Sequence, residues 1–406
     1  MNQEANCIER VIGLDVHPDT FTAALLRGQT PAQAMVEKMF NKVPMAGLQS
    51  WAKRHTTAQD TIVLEASGNS FQTVRTLAAI DRKALVLESC QMGKLKEAHA
   101  NNDKISAIRI GKAYLAGTAK SVWVPDLKTQ ERRDWFHAHS KAVKRTTQMR
   151  NRIHSYLNDN GVRLKKGMSL AAHAETALEI LRKLRPWTPR QWQVIEGLLM
   201  ELRHANEQRA HWRSLIAQEV LGDPQLLSIV RLCGVREMVA FALGALIGDI
   251  ERFASPRKLV KYIGLNPAFD DSGKAKWAGG IGAHGRKDLR SLLIEAAHAI
   301  LRSRHPLALW GRKLLRRKSE VKLVIAAIAR KLTVAVWYLM MGRWTPLEEI
   351  DNQLVIKVGK MIGQVGRGGL EKLGKTSKAY RKEIYESFKT GRSYLLKPEK
   401  RMPILA

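Results

Sequence analysis

The stretch Val11-Ile12-Gly13-Leu14-Asp15-Val16-His17 constrains the fold more than any other part of the chain. An apolar run of this length reads as a buried strand. A carboxylate set within it is costly to bury unless a partner or a metal neutralises the charge. A hairpin partner follows at Thr20 to Arg27, and Thr61-Ile62-Val63-Leu64-Glu65-Ala66-Ser67 repeats the pattern of an apolar strand with one acid near its end. A third acid, Asp103, opens a helix in Asn101-Asn102-Asp103-Lys104-Ile105-Ser106-Ala107. Elements that each carry one acid to a common point are a way to gather oxygen ligands for Mg²⁺ or Mn²⁺. Asp15, Glu65 and Asp103 are therefore the candidate metal ligands.

Around these acids the first 122 residues alternate strand and helix. A third strand is expected at Ala34 to Phe40, helices near Ala46 to Arg54 and Ser70 to Ala79, a strand at Ala84 to Glu88, and a helix from Ala107 to Leu115. Three consecutive strands followed by helix, strand, helix, strand and helix is the order of a ribonuclease-H-like or RuvC-like α/β domain. Sugar kinases and actin-like ATPases share that order, so it fixes no function. No paired glycine-rich phosphate loops follow the acidic strands, which disfavours the ATPase reading.

Charge narrows the partners. The 406 residues hold 68 Lys and Arg against 37 Asp and Glu, a formal charge of +31. Such an excess speaks for a polyanionic partner, nucleic acid before membrane. The most apolar stretch, Leu323 to Met341, is interrupted by Arg330 and Lys331. Cys7, Cys90 and Cys233 are too few and too scattered for a disulfide framework or a zinc site. The expectation is a reduced, cytoplasmic, nucleoid-associated bacterial protein.

Beyond residue 122 the strand signals vanish. Trp135, Ala142, Met149 and Tyr156 recur every seven residues, with Ile153 between, and Trp192, Ile195, Leu199 and Leu202 follow the alternation of a helix seam. Residues 123–222 thus read as an antiparallel, coiled-coil-like helical arm. From Asp223 a second globular domain begins. There Ser228 to Val235 has the look of a helix-hairpin-helix turn or, equally, of an ordinary turn between helices. The segment Ala268 to Lys287 is glycine-rich and basic, and is expected as a loop on the surface or over a ligand. Basic residues then dominate through Lys331, a pattern suited to phosphate contacts without sequence reading. After Gly342 the periodicity weakens, and residues 343–406 are expected to form a partly ordered basic tail.

Spaced acids, a helical arm and the pattern Gly264-Leu265-Asn266-Pro267, Ser272-Gly273, Gly285-Arg286-Lys287-Asp288-Leu289-Arg290 stand in one order. That order resembles the DEDD-type insertion-sequence transposases, the group containing the pilin-gene invertases and the bridge-RNA-guided recombinases. The resemblance covers residues 8 to 340. It implies a RuvC-like DEDD domain over 1–122, the arm over 123–222 and a mostly helical C-terminal transposase domain over 223–342.

It also implies a role for each matched residue. Asp15, Glu65 and Asp103 would hold the metal, and Ser272 would attack DNA. The family's fourth acid falls three residues after the third, at a position that here is Ser106, so the site carries three formal negatives instead of four. Independently of the resemblance, the one-sided charge marks Lys274, Lys276, Arg286, Lys287, Arg290, Arg312, Lys313, Arg316, Arg317 and Lys318 as the residues expected to face nucleic acid. The implied partners are donor and target double-stranded DNA, a structured guide RNA, and further copies of the chain, a homodimer assembling to a homotetramer. The alternatives are a RuvC-like metal-dependent nuclease without a serine intermediate, and a catalytically impaired nucleic-acid-binding protein.

Overall fold

The computed structural model describes residues 10–89, 102–164, 174–272, 275–282, 284–343 and 351–389, with the backbone alone described for 174–176, 268–272, 275–280, 351–352, 383–385 and 387–389. Cys7, Cys90, Lys274 and residues 390–406 lie outside the described residues, as do the side chains of Ser272 and Lys276. The chain divides into two compact units, Met1–Asp126 and Leu127–Ala406. It is a mixed α/β protein, with one large sheet in the first unit and a mostly helical second unit.

In the first unit β1 (Arg10–Val16), β2 (Thr20–Arg27) and β3 (Met35–Pro44) form an antiparallel meander. β4 (Thr61–Glu65) runs parallel to β1, and β5 (Ala84–Leu87) runs parallel to β4. A two-residue strand, β6 (Ser121–Val122), closes the order β3-β2-β1-β4-β5-β6 antiparallel to β5. The strand alternation sorts side chains onto two faces. Ile12, Leu14, Ile62 and Leu64 share a core with Trp51 of α1 (Leu48–His55) and Leu77 of α2 (Ser70–Ala78). Val11 and Val63 turn the other way, onto Ile110 and Ala113 of α3 (Asp103–Leu115). β1 is covered on both faces, which is why its sequence is a continuous apolar run.

The entry to β1 is fastened by Arg10, whose guanidinium donates to both carboxylate oxygens of the buried Asp60 (2.8 and 2.6 Å) and to His55 O (3.1 Å). Burial opposes the Asp60 charge. The hydrogen bonds from Arg10 and from the Thr57 backbone outweigh it and hold the carboxyl below its usual range.

The second unit begins with two long helices, α4 (Leu127–Asp159) and α6 (Pro189–Gly222). They run antiparallel, since Arg132 pairs with Glu219 while Arg145 pairs with Glu201. The seam is the expected one: Met149, Ile153 and Leu157 meet Ile195, Leu198, Leu199 and Leu202, with α5 (Ala174–Leu184) adding Ala177 and Leu181. α6 starts at a capping box between Thr188 and Gln191 with Pro189 in the first turn.

The core of this unit is built from α7 (Pro224–Val230), α8 (Glu237–Ile247), α9 (Pro256–Ile263), α10 (Lys287–Leu301), α11 (Pro306–Lys318) and α12 (Val321–Met340). By length and a mean hydropathy of 1.7, α12 passes for a membrane span, but 67% of its most apolar window is buried within the unit. Its apolarity is that of a core helix.

Two expectations are corrected. The glycine-rich segment after Pro267 is not an irregular loop but a hairpin, β7 (Pro267–Ser272) paired with β8 (Ala275–Ile281). Only two residues separate Ser272 from Ala275, so the chain can return on itself at once. The stretch expected as a tail contains α13 (Asp351–Lys372) and α14 (Ser377–Lys389). Leu354, Val358, Met361, Ile362 and Val365 of α13 are buried in the unit's core. Glycines interleaved at 359, 363, 366, 368 and 369 diluted that apolar stripe, and one of them, Gly366 (φ 70°), does break the helix.

Candidate functional site

The acids of the first unit are gathered by the register of its central strands. The parallel pairing of β1 and β4 ends at Leu14 beside Leu64, and the next residue on each strand is an acid, Asp15 and Glu65. Both follow, two residues on, positions that face α3: Asp15 follows Gly13, and Glu65 follows Val63.

Gly13 sets the distance of that helix. A Cβ there would stand 1.9 Å from Ala107 O and 2.9 Å from Gly111 N, both backbone atoms of α3. The strand and helix backbones can approach this closely only because residue 13 has no side chain. One turn back from Ala107, the first residue of α3 is Asp103. The helix is capped by Asn102, which accepts from Ile105 N (2.9 Å), so Asp103 is not consumed as the cap. The same helix end favours nearby carboxylates through its dipole.

The resulting group contains one residue that was not singled out from the sequence. His17 Nε2 lies 3.7 Å from Asp15 Oδ2 and 3.6 Å from Asp103 Oδ1. One donor atom from each of Asp15, His17 and Asp103 falls within 4.8 Å of the others, close enough to hold one metal ion. The Asp-x-His spacing carried the signal, because residues two apart at a strand end share a face. The backbone of His17 is held as well: its N–H donates to Thr20 O, and its carbonyl accepts from Asn69 Nδ2 at 2.9 Å. Glu65 is half-buried at the end of the neighbouring strand and is not a member of this group of three. Ser106 is half-buried one turn into α3.

In the second unit, Ser272 is the last residue of β7 and pairs with Ala275 at the tip of the hairpin; Lys276 pairs with Asp271 on the strand behind it. The base of the hairpin is tied down. Arg290 Nη1 donates to Gly264 O (3.0 Å), Gly282 O (3.0 Å) and His284 O (2.8 Å). Arg330 Nε donates to Leu265 O at 2.7 Å. Gly264 (φ 80°) ends α9 in the left-handed region, and a Cβ on it would stand 2.1 Å from His284 O.

The basic residues proposed for nucleic acid divide into two sets. Arg286 is paired with Asp288 (3.1 and 2.7 Å), and Arg312 donates to Leu301 O and Ser303 O (2.8 and 3.0 Å). With Arg290 these guanidiniums serve the fold. Lys287, Lys313, Arg316, Arg317 and Lys318 are exposed, the last three in the final turn of α11. The turn between α7 and α8 is also packed inward. A Cβ on Gly234 would stand 2.7 Å from Ala296 O, and the carbonyls of Val230 and Leu232 accept from Lys357 Nζ (2.9 and 2.8 Å).

Comparison with known proteins bears on the unit that carries the hairpin. Residues 228–309 match the profile of the transposase IS116/IS110/IS902 family. The chain is 25% identical over 283 residues to the transposase for insertion sequence element IS1111A of Coxiella burnetii, an alignment covering 69% of this chain and 77% of that protein. It is 23% identical over 283 residues to a protein of Pseudomonas aeruginosa named "Probable family 20 transposase", covering 69% of this chain and 83% of the relative.

Proposed function

We propose that this chain is the transposase of an insertion sequence, a recombinase that cuts and rejoins DNA through Ser272 and a divalent metal site on the RuvC-like first unit. The observation that carries the reading is the match over residues 228–309, which spans the whole Ser272 hairpin and the arginine that ties its base. The acid cluster on β1 and α3, the strand order of the sheet, and a formal charge of +31 support it independently.

In the proposed reaction the Ser272 hydroxyl attacks a DNA phosphorus. The new Oγ–P bond forms as the bond from phosphorus to a deoxyribose oxygen breaks; the serine proton is released, and the departing oxygen takes one up. The phosphoserine keeps the energy of the broken bond, so the reverse attack by a second strand's hydroxyl rejoins DNA without a nucleotide cofactor. The donors of Asp15 and Asp103, with His17 between them, fit Mg²⁺ or Mn²⁺ in number and spacing, and Glu65 stands on the adjacent strand. Such an ion, when bound, supplies a Lewis acid for the phosphate oxygens. The exposed lysines and arginines of α11 hold the DNA backbone without reading its sequence. Sequence choice then falls to a structured RNA that pairs with donor and target, and the strands are exchanged in an assembly of several copies.

The test is capture of the intermediate. Protein co-purified with RNA expressed from the element's flanking DNA is incubated with donor and target DNA, then denatured. A band of DNA covalently attached to protein is expected, and it should vanish in Ser272→Ala while nucleic-acid binding persists. Free DNA ends with no attached protein, equal in wild type and variant, would replace this reading with that of a metal-dependent nuclease.

A further inference from the structure

We propose that His17 Nε2 is the ligand that replaces the absent fourth carboxylate, and that this nitrogen donor tilts the site from Mg²⁺ toward Mn²⁺. The proposal rests on the reading of Asp15 and Asp103 as metal ligands.

Three observations carry it. The position three residues after Asp103, which shares its helix face, is Ser106 and brings no charge. The group that closes around Asp15 and Asp103 instead contains an imidazole. Finally, the spacing suits a shared ion. Two ligands about 2.1 Å from one metal stand about 3 Å apart at right angles and about 4.2 Å apart when opposed. The separations from Nε2 to the two carboxylates, 3.7 and 3.6 Å, fall between these limits.

The chemical consequence follows from donor softness. Mg²⁺ is a hard ion that prefers all-oxygen surroundings and keeps its waters. Imidazole nitrogen suits first-row transition ions better. Replacing a carboxylate by a neutral nitrogen also removes one negative charge, which weakens the attraction for a hard ion most. His17 can serve this way without disturbing the fold. Its side chain is about half exposed, and its turn is fixed by backbone hydrogen bonds that any residue's main chain would make.

The experiment uses the full-length protein and Mn²⁺ itself as probe. Free Mn²⁺ is counted by electron paramagnetic resonance during titration, and pulsed measurements on the bound ion report ¹⁴N coupling from a ligating imidazole. Wild type is expected to show that coupling. His17→Ala should lose it and bind Mn²⁺ about 10- to 100-fold more weakly, with a circular dichroism spectrum unchanged. Ser106→Asp should raise Mg²⁺ affinity and make His17→Ala nearly silent for Mg²⁺. Bound Mn²⁺ that is lost in Asp15→Asn but shows no ¹⁴N coupling in wild type overturns the role of His17 and leaves the acidic site standing. Mn²⁺ binding that is absent from wild type, or indifferent to Asp15→Asn and Asp103→Asn, overturns both.

Discussion

The two units gather charge in opposite ways. In the first, acids from a strand end and a helix start are drawn toward one point by a backbone contact, Gly13 against Ala107 and Gly111, and the neighbouring strand ends in another acid. In the second, a run of basic residues is divided. Arg286, Arg290, Arg312 and Arg330 are taken up by a carboxylate or by carbonyls of the fold, while Lys287, Lys313, Arg316, Arg317 and Lys318 stay in solvent. A site of like charges has to be assembled against repulsion, so it depends on rigid packing and one displaced backbone ruins it. A binding surface made of solvated cations depends on their number, and each can be lost at little structural cost.

Gly13→Ala should therefore have the largest effect. The added methyl meets backbone atoms at 1.9 and 2.9 Å, which cannot swing aside as a side chain does. α3 must lift, and Asp103 goes with it. We expect a loss of about 3 kcal/mol in urea unfolding of the first unit, together with loss of Mn²⁺ binding and of strand exchange. Gly111→Ala is the control. Its Cβ meets the tip of Leu26, Cδ1 at 2.4 Å, which can rotate away, so the cost should stay near 1 kcal/mol and metal binding should survive. Equal damage from both substitutions would break the claim that Gly13 seats the site.

The contrast within the second unit comes next in size. Arg290→Met leaves three carbonyls without their donor and should lower the urea midpoint, by about 1–3 kcal/mol in stability. Replacing Lys313, Arg316, Arg317 and Lys318 together by Ala should leave stability within about 1 kcal/mol. That quadruple variant should instead flatten the dependence of DNA affinity on salt, by as much as about 3 to 4 in the log–log slope if all four touch phosphates. Arg290→Met as stable as wild type would show that the hairpin base does not depend on it.

What the sequence made legible follows from how local each signal is. β1, β2 and β4 are continuous apolar runs and could be read directly, and the seam of α4 and α6 repeats within each helix. Asp15 and Glu65 could be placed on β1 and β4 for the same reason. His17 was not, because a polar residue just past a strand end looks like turn chemistry until α3 is laid over it. The use of Arg290 was hidden because its three partners are all backbone carbonyls, and two of them, Gly264 and Gly282, lie on the far sides of the hairpin it ties. α13 escaped because its glycines mask a stripe that only burial against the rest of the unit reveals.

The smallest predicted effect is one of pH, and it belongs to the second unit. His139 on α4 is buried, and burial, with Arg213 and Arg209 nearby, pushes its imidazole from 6.5 to about 4. The unfolded chain therefore binds a proton that the folded unit refuses between those values. Stability from the neutral imidazole is complete above pH 6.5, declines as pH falls, and is gone below about pH 4. Glu237 answers to a lower window. Burial opposes its charge, but Arg213, donating at 3.0 and 2.6 Å, holds the carboxyl below its usual range, so its contribution is lost only as pH falls further. Asp60 in the first unit shares that later window, since Arg10 holds it low in the same way. Urea midpoints measured from about pH 7 to 5.5 should thus fall for the second unit while its carboxylates are still largely ionised. His139→Gln should flatten that early fall and leave the later one in place. An early fall that persists unchanged in His139→Gln would assign it to another group, His137 on the same helix first, since burial lowers its imidazole too.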